Sequence, residues 1–198
     1  MKTKATRRTQ SPIIVITGTP GTGKTAISKS LAQQMHADYL SLTKLVIDMR
    51  LQAGLDRRRR TRVVDLEKTR AWLRKNLRER DAITILDTHI PDAAPRERVS
   101  RVIVLRSHPR ELERRLRRKR WSTAKRRENV LAEILDSCYV IANQYYGARK
   151  IMQLDTSRTS VNKTVNQCKT LLRKRRRSQT VVDWIAALDP RTLERYML

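Results

Sequence analysis

Short apolar runs alternate along this chain with longer stretches of helical spacing. Residues 12–17 (PIIVIT), 82–86 (AITIL), 101–106 (RVIVLR) and 150–154 (KIMQL) are rich in β-branched and aliphatic side chains. Runs of this length predict strands buried on both faces. A further short strand is expected at 37–40. Between the strands, apolar residues recur three and four apart, the period of a helix with one buried face. One helix is expected over about 23–35. A second opens at Ser41 and carries Leu42, Leu45, Val46 and Met49. Asp65 caps a third, with Leu66, Thr69, Leu73 and Leu77 on one face and Trp72 beside it. Pro109 suits the first position of a fourth, continued by Leu112 and Leu116. Ser122 or Thr123 caps a long fifth helix, whose stripe is Val130, Leu131, Ile134, Leu135, Cys138, Ile141 and Tyr145, ending at Gly147. Helices over about 160–173 and 181–188 complete the chain. Strands alternating with helices predict a three-layer α/β domain with a parallel sheet of about five strands.

Three stretches depart from this alternation. Residues 52–62 break the pattern, with Gly54 marking a turn and Arg57, Arg58, Arg59 and Arg60 forming a dense positive cluster. Residues 114–127 are mostly charged, interrupted by Trp121. Residues 173–177 are purely basic. A single domain over 1–198 is expected, with mobile insertions at about 41–64 and 118–128, a short basic tail at 1–10 and a basic C-terminal extension at about 171–198.

Chemistry enters at Gly18-Thr19-Pro20-Gly21-Thr22-Gly23-Lys24-Thr25, between the first strand and the first helix. The stretch fits G-x-x-x-x-G-K-[ST], the pattern of a phosphate-binding P-loop. Gly18, Gly21 and Gly23 let successive backbone N–H groups turn inward on phosphate oxygens. The following helix points its unpaired N–H groups at the same anion. Lys24 reaches the β- and γ-phosphates of ATP, and the Thr25 hydroxyl holds Mg²⁺. The alternative is a glycine-rich connector without a ligand. The preceding strand and the apolar-faced helix that follows favour the nucleotide. The predicted fold is therefore that of a P-loop NTPase.

The strand at 82–86 ends at Asp87, a carboxylate placed to hold Mg²⁺ beside the P-loop. His89, two residues on, stands at the same rim and can position a water or a hydroxyl. The basic stretch 114–127 is either a solvated helix face or a lid. Its place between the fourth strand and the long helix favours the lid, which brings positive charge to a moving phosphoryl group and excludes water.

Charge widens the picture. Forty-five Lys and Arg against nineteen Asp and Glu give a formal net charge of +26 and an isoelectric point near 11.3. Such a field favours RNA or an RNA-rich partner, with simple solubility charge as the alternative. No apolar run reaches the length of a bilayer crossing, so no membrane partner is expected. The first ten residues lack the apolar stretch of a secretory signal. Cys138 and Cys168 are the only cysteines, which suggests a reducing, cytoplasmic compartment.

The order of motifs resembles that of the archaeal adenylate kinase family and its eukaryotic nuclear relatives, adenylate kinase isoenzyme six. The matching segments are GTPGTGKT at 18–25, YLSLTKLV at 39–46, VVDLEKT at 63–69, LDTH at 86–89, VIVLRSHPRELERRLR at 102–117, KRRENVLAEIL at 125–135 and VDW at 182–184. The resemblance implies a nucleoside monophosphate (NMP) kinase, ATP + AMP = 2 ADP, with ATPase activity. It also implies a role in maturation of the 30S subunit and its 16S rRNA, through a small-subunit ribosomal protein of the platform (uS11-type). By position, Gly21, Gly23, Lys24, Thr25 and Ala26 match the family's ATP loop, and Asp87 and His89 its Asp-x-His motif. Segment 41–64 matches its monophosphate-binding region and 118–128 its short lid. Arg158 falls where a basic residue lies against adenine. Where the family's lid reads Arg-Gly-Tyr, this chain has Lys119-Arg120-Trp121. Lys119 thus takes the place of an ATP-contacting Arg, and Arg118 or Arg120 is left to supply the guanidinium. Where the family is often acidic, residues 57–60 are arginines. Three functions remain open: an NMP kinase acting on AMP or another monophosphate, an assembly ATPase that remodels a ribosomal protein or rRNA, and an RNA-binding P-loop protein.

Overall fold

The structure, a computed structural model, describes residues 11–56, 61–77, 82–173 and 182–197. The basic clusters at 57–60 and 174–177 and the tail at 1–10 lie outside the described residues. In chain order the elements are β1 (Ile13–Thr17), α1 (Lys24–Met35), β2 (Asp38–Ser41), α2 (Leu42–Asp48), β3 (Gln52–Asp56), β4 (Thr61–Val64), α3 (Leu66–Asn76), β5 (Thr84–Asp87) and β6 (Val99–Arg106). They continue with α4 (Pro109–Arg117), α5 (Thr123–Ile134), α6 (Ser137–Tyr146), β7 (Ile151–Asp155), α7 (Val161–Arg173), α8 (Trp184–Ala187) and α9 (Pro190–Met197).

Five strands form one sheet in the order β2-β5-β1-β6-β7, every pairing parallel. β1 lies at its centre and all five of its residues are buried. Alternate side chains leave a strand on opposite faces, and β1 feeds two cores in this way. Ile14 and Ile16 pack with Ile27, Leu31, Ile103, Leu105, Val165 and Cys168 under α1 and α7. Ile13 and Val15 pack with Leu42, Leu45, Leu73, Val102, Ala142 and Tyr146 under α2, α3 and α6. These are the three layers expected from the pattern. A third cluster lies beside the sheet, where Leu112, Leu116, Val130 and Ile134 meet Val182, Trp184, Leu188 and Tyr196.

Three expectations are corrected. Residues 52–56 and 61–64 pair as an antiparallel hairpin, and Gly54 sits within β3, opposite Val63, with no turn there. Gln52 to Asp56 are exposed or half-buried, so the segment carries no apolar signature of a strand. The long helix divides into α5 and α6. Asp136 adopts a left-handed conformation, φ 55°, at the break. The Arg106 guanidinium binds the Asp136 carboxylate and donates to the Glu133 carbonyl (2.8 Å). This long-range pull interrupts a helix whose apolar stripe continues unbroken in sequence. At the C-terminus, the described part of the expected 181–188 helix is the single turn α8, and α9 follows it. Asp189 caps that start by accepting from the Thr192 N–H (3.0 Å). Among the described residues, no helix is long and apolar enough to cross a membrane. Both cysteines are free.

Candidate active site

In a parallel sheet the carboxyl ends of all strands open on one edge, and a crevice forms where the strand order reverses. Here that point is β1, with β5 on one side and β6 on the other. The glycine loop leaves β1 at this edge, and Asp87 and His89 leave β5. The α2–hairpin region follows β2, α4 follows β6, and Arg158 lies in the loop after β7.

The loop at 18–25 is wound tightly. Gly18 has φ +142°, and a Cβ there would sit 2.3 Å from the Leu105 carbonyl oxygen. Gly21 has φ +103°, and a Cβ would meet Leu112 Cδ1 at 2.8 Å. Gly23 is the N-cap of α1, without a side chain to cover the first N–H groups. The Thr22 N–H and hydroxyl both donate to the Thr19 carbonyl (3.2 and 2.9 Å). Lys24 Nζ donates to the carbonyls of Gly18 (2.7 Å) and Thr19 (3.1 Å). Burial lowers the Lys24 pKa to about 8, against the partial support of nearby negative groups including Asp87 and Glu133.

Opposite the lysine, Thr25 Oγ1 donates to Asp87 Oδ2 at 2.7 Å, and the Tyr39 hydroxyl donates to the same oxygen at 3.1 Å. Burial, then the Asp87 charge, pushes Tyr39 up to about 12. Tyr39 was not singled out from the sequence, because a tyrosine in a short strand carries no motif. His89 stands at the rim with an exposed side chain. Surrounding protein, then Lys24, lowers its pKa, while Asp87 opposes them. Lys24, Thr25, Asp87 and His89 therefore share one electrostatic neighbourhood. A hydroxyl and a carboxylate side by side are hard oxygen donors suited to Mg²⁺. Among the described residues no three His, Cys, Asp or Glu side chains gather to hold a metal by themselves. An ion here would share its coordination with substrate phosphates, as Mg²⁺ commonly does.

The basic candidates separate. Lys119 is exposed but close enough for its charge to act on Lys24. Its ammonium lies 5.3 Å from the centre of the Trp121 ring, and that of Lys125 lies 4.7 Å away. Arg118 caps α4, and Arg120 has φ 53°. Both side chains are exposed and make no hydrogen bond or ion pair among the described residues. Ala26 is exposed in the first turn of α1, and Arg158 is exposed near enough to His108 to disfavour its protonation. Arg115, overlooked in the charged run, is held by Glu111 (2.7 Å) and donates to the Thr156 carbonyl (2.8 Å), joining α4 to the β7 loop.

A buried polar hub behind the loop was also missed. Glu133 is 2% exposed. Its carboxylate accepts from Thr19 Oγ1 (2.6 Å), Arg106 Nε (2.8 Å), the Ser107 N–H (3.0 Å) and Trp184 Nε1 (3.1 Å). Arg106 also donates to Gln153 Oε1 (2.6 Å) and the Val182 carbonyl (3.2 Å). A lone Glu inside an apolar helix stripe was the available signal, since such a residue is buried only when paired.

Comparison with known proteins agrees with this fold. The AAA-domain family matches residues 14–136. A "Putative adenylate kinase" of Pyrococcus abyssi is 32% identical over 179 residues, 89% of this chain and 93% of that protein. One from Methanocaldococcus jannaschii is 30% identical over 171 residues, 86% and 92% of the two chains. Among solved structures, an unliganded sugar kinase from Janibacter sp. HTCC2649 superposes with a TM-score of 0.51 at 19% identity, covering 82% of this chain and 94% of that one. The last likeness concerns the fold, a P-loop kinase architecture. With relatives at this identity along nearly their whole length, the chain belongs to the AAA-domain family and, within it, to the archaeal adenylate kinase family that those relatives represent.

Proposed function

We propose that this chain is an NMP kinase that transfers the γ-phosphoryl group of ATP to AMP, giving two ADP. The observation that carries the reading is the Thr25–Asp87 pair, 2.7 Å apart, at the N-terminus of α1, with the Asp87 charge acting on Lys24. The adenylate kinase name of the two archaeal relatives supports the same reaction. Among the described residues, the Lys24 ammonium donates hydrogen bonds to two neutral carbonyls. A phosphate offers it a charge-assisted bond that is stronger than either. The glycine loop supplies N–H donors, and the free N–H groups of α1 face the same anion. When bound, Mg²⁺ supplies positive charge on the phosphate oxygens. Lys119, with Arg118 or Arg120, brings cationic charge over the transferring group, and Arg158 lies toward the base. The region at 41–64 holds the acceptor monophosphate. Asp87→Asn is expected to raise the Mg²⁺ concentration for half-maximal rate by roughly tenfold or more, read from a magnesium titration. An unchanged titration removes Asp87 from the metal site.

One observation favours hydrolysis as a second activity. His89 is biased toward its neutral form beside Lys24 and Asp87, and a neutral imidazole can accept a hydrogen bond from an attacking water. His89→Ala therefore reduces ATP hydrolysis more than transfer to AMP. Arg118→Ala and Arg120→Ala do the reverse, because lid charge matters most when two anionic nucleotides are held together. Both rates are measured on each variant, with melting curves. Equal loss of both activities in His89→Ala removes the water-positioning role.

A cytoplasmic role in 30S maturation, with a platform ribosomal protein and rRNA as partners, is supported by two features. The net charge is +26. The acceptor region also exposes the apolar side chains Ile47, Met49, Leu55 and Val63.

A further inference from the structure

We infer that Glu133 is a positioning residue for the phosphate-binding loop, and that the C-terminal segment 182–196 holds it in place through Trp184. The inference rests on the reading of that loop as the ATP site. The segment VDW at 182–184 has no part in the phosphoryl transfer described above, yet its tryptophan is buried at the hub. One carboxylate joins the two ends of the chain. Its Oε2 accepts from Thr19 of the loop and its Oε1 from the indole N–H of Trp184.

Thr19 is a sensitive point for this contact. Its carbonyl accepts from Lys24 Nζ, from the Thr22 N–H and from the Thr22 hydroxyl. Turning residue 19 therefore disturbs the lysine and the loop's own hydrogen bonds together. The second wall of the loop depends on the same segment. Gly21 packs against Leu112 and Leu116, and these two leucines are clustered with Val182, Trp184, Leu188 and Tyr196. The Trp184 ring is fixed edge-on to His108, with ring centres 5.3 Å apart. The Val182 carbonyl accepts from Arg106. The C-terminal segment thus backs the loop twice, by a hydrogen-bond relay and by apolar packing.

The test uses Thr19→Val, which removes the donor at constant shape, Trp184→Phe, which removes the indole N–H and keeps a ring, and the two combined. Dissociation constants for Mg-ADP, KM for ATP and AMP, and hydrogen exchange of amides 18–25 are measured on the full chain. Each single variant is expected to weaken Mg-ADP binding and raise KM for ATP by roughly tenfold. KM for AMP should stay within about twofold of wild type, since the acceptor is held by the region at 41–64. The double variant should be no worse than the more affected single one, because both act through Glu133. Loop amides should exchange faster while those of β1 and β6 keep their protection. Thr19→Ser should restore wild-type behaviour, and it carries the test with Thr19→Val even if Trp184→Phe fails to fold. Multiplying effects in the double variant, or unchanged loop exchange, would overturn the inference. Should the wild-type protein bind no Mg-ADP, the ATP reading fails, and the exchange measurement still decides the positioning role.

Discussion

Lys24→Met lowers ATP-dependent phosphoryl transfer by roughly 10²–10³-fold, the usual cost of deleting one preorganised charge-stabilising donor. The folded state survives, because Lys24 spans two loop carbonyls and supports no apolar core. A second signature distinguishes this loss from damage to the fold. The Lys24 pKa lies at about 8 in the folded protein, below its ordinary 10.5, with burial as the main cause. Below pH 8 the lysine is charged in both the folded and the unfolded chain, and burial of that charge costs the native state stability. Between pH 8 and 10.5 the folded protein releases this proton before the unfolded chain does, so wild-type stability gains with pH. Lys24→Met lacks that term. Without nucleotide, its melting temperature relative to wild type is highest near neutral pH and falls through that window. A cooperative melt with wild-type turnover would remove the lysine from the site.

Arg106→Leu destabilises the protein by about 3–5 kcal/mol, because removing one partner leaves the other charge buried and uncompensated. Arg106 is 1% exposed and Glu133 2%. The guanidinium also binds Asp136, Gln153 and the carbonyls of Val182 and Glu133. Urea unfolding of Arg106→Leu, Glu133→Leu and the double variant tests this. The double variant should be less destabilised than the sum of the single ones, since an apolar pair leaves no orphan charge. Simple additivity would show that the two side chains act independently.

Much of this architecture was legible because burial dictates periodicity. The core strands are apolar on both faces, and helices α3, α4 and α7 have clear stripes, so the parallel sheet and the P-loop follow from local pattern. The Thr25–Asp87 pair was legible because two separate motifs had to meet for either to make chemical sense. The rest depends on contacts distant in sequence. The β3–β4 hairpin is mostly exposed, and exposed strands leave little hydrophobic signal. The break at Asp136 is set by Arg106, thirty positions away, within a stripe that continues unbroken. The Glu133 hub gathers residues from 19 to 184, whose meeting no local pattern announces. Arg118, Lys119 and Arg120 were equivalent by charge; the family resemblance set Lys119 apart, and in the fold its charge reaches Lys24.

The central claim is that the crevice at the carboxyl end of β1 moves phosphate from ATP to a nucleoside monophosphate. Its most direct measurement is ³¹P NMR of the full chain with Mg-ATP and, in turn, AMP, CMP, GMP and UMP, beside a sample with no acceptor. The account predicts that ATP and AMP are consumed together and ADP appears in a two-to-one ratio to either, with little inorganic phosphate, and that Lys24→Met stops the conversion. ATP consumed at the same rate with and without every acceptor, yielding one ADP and one inorganic phosphate each time, would contradict it.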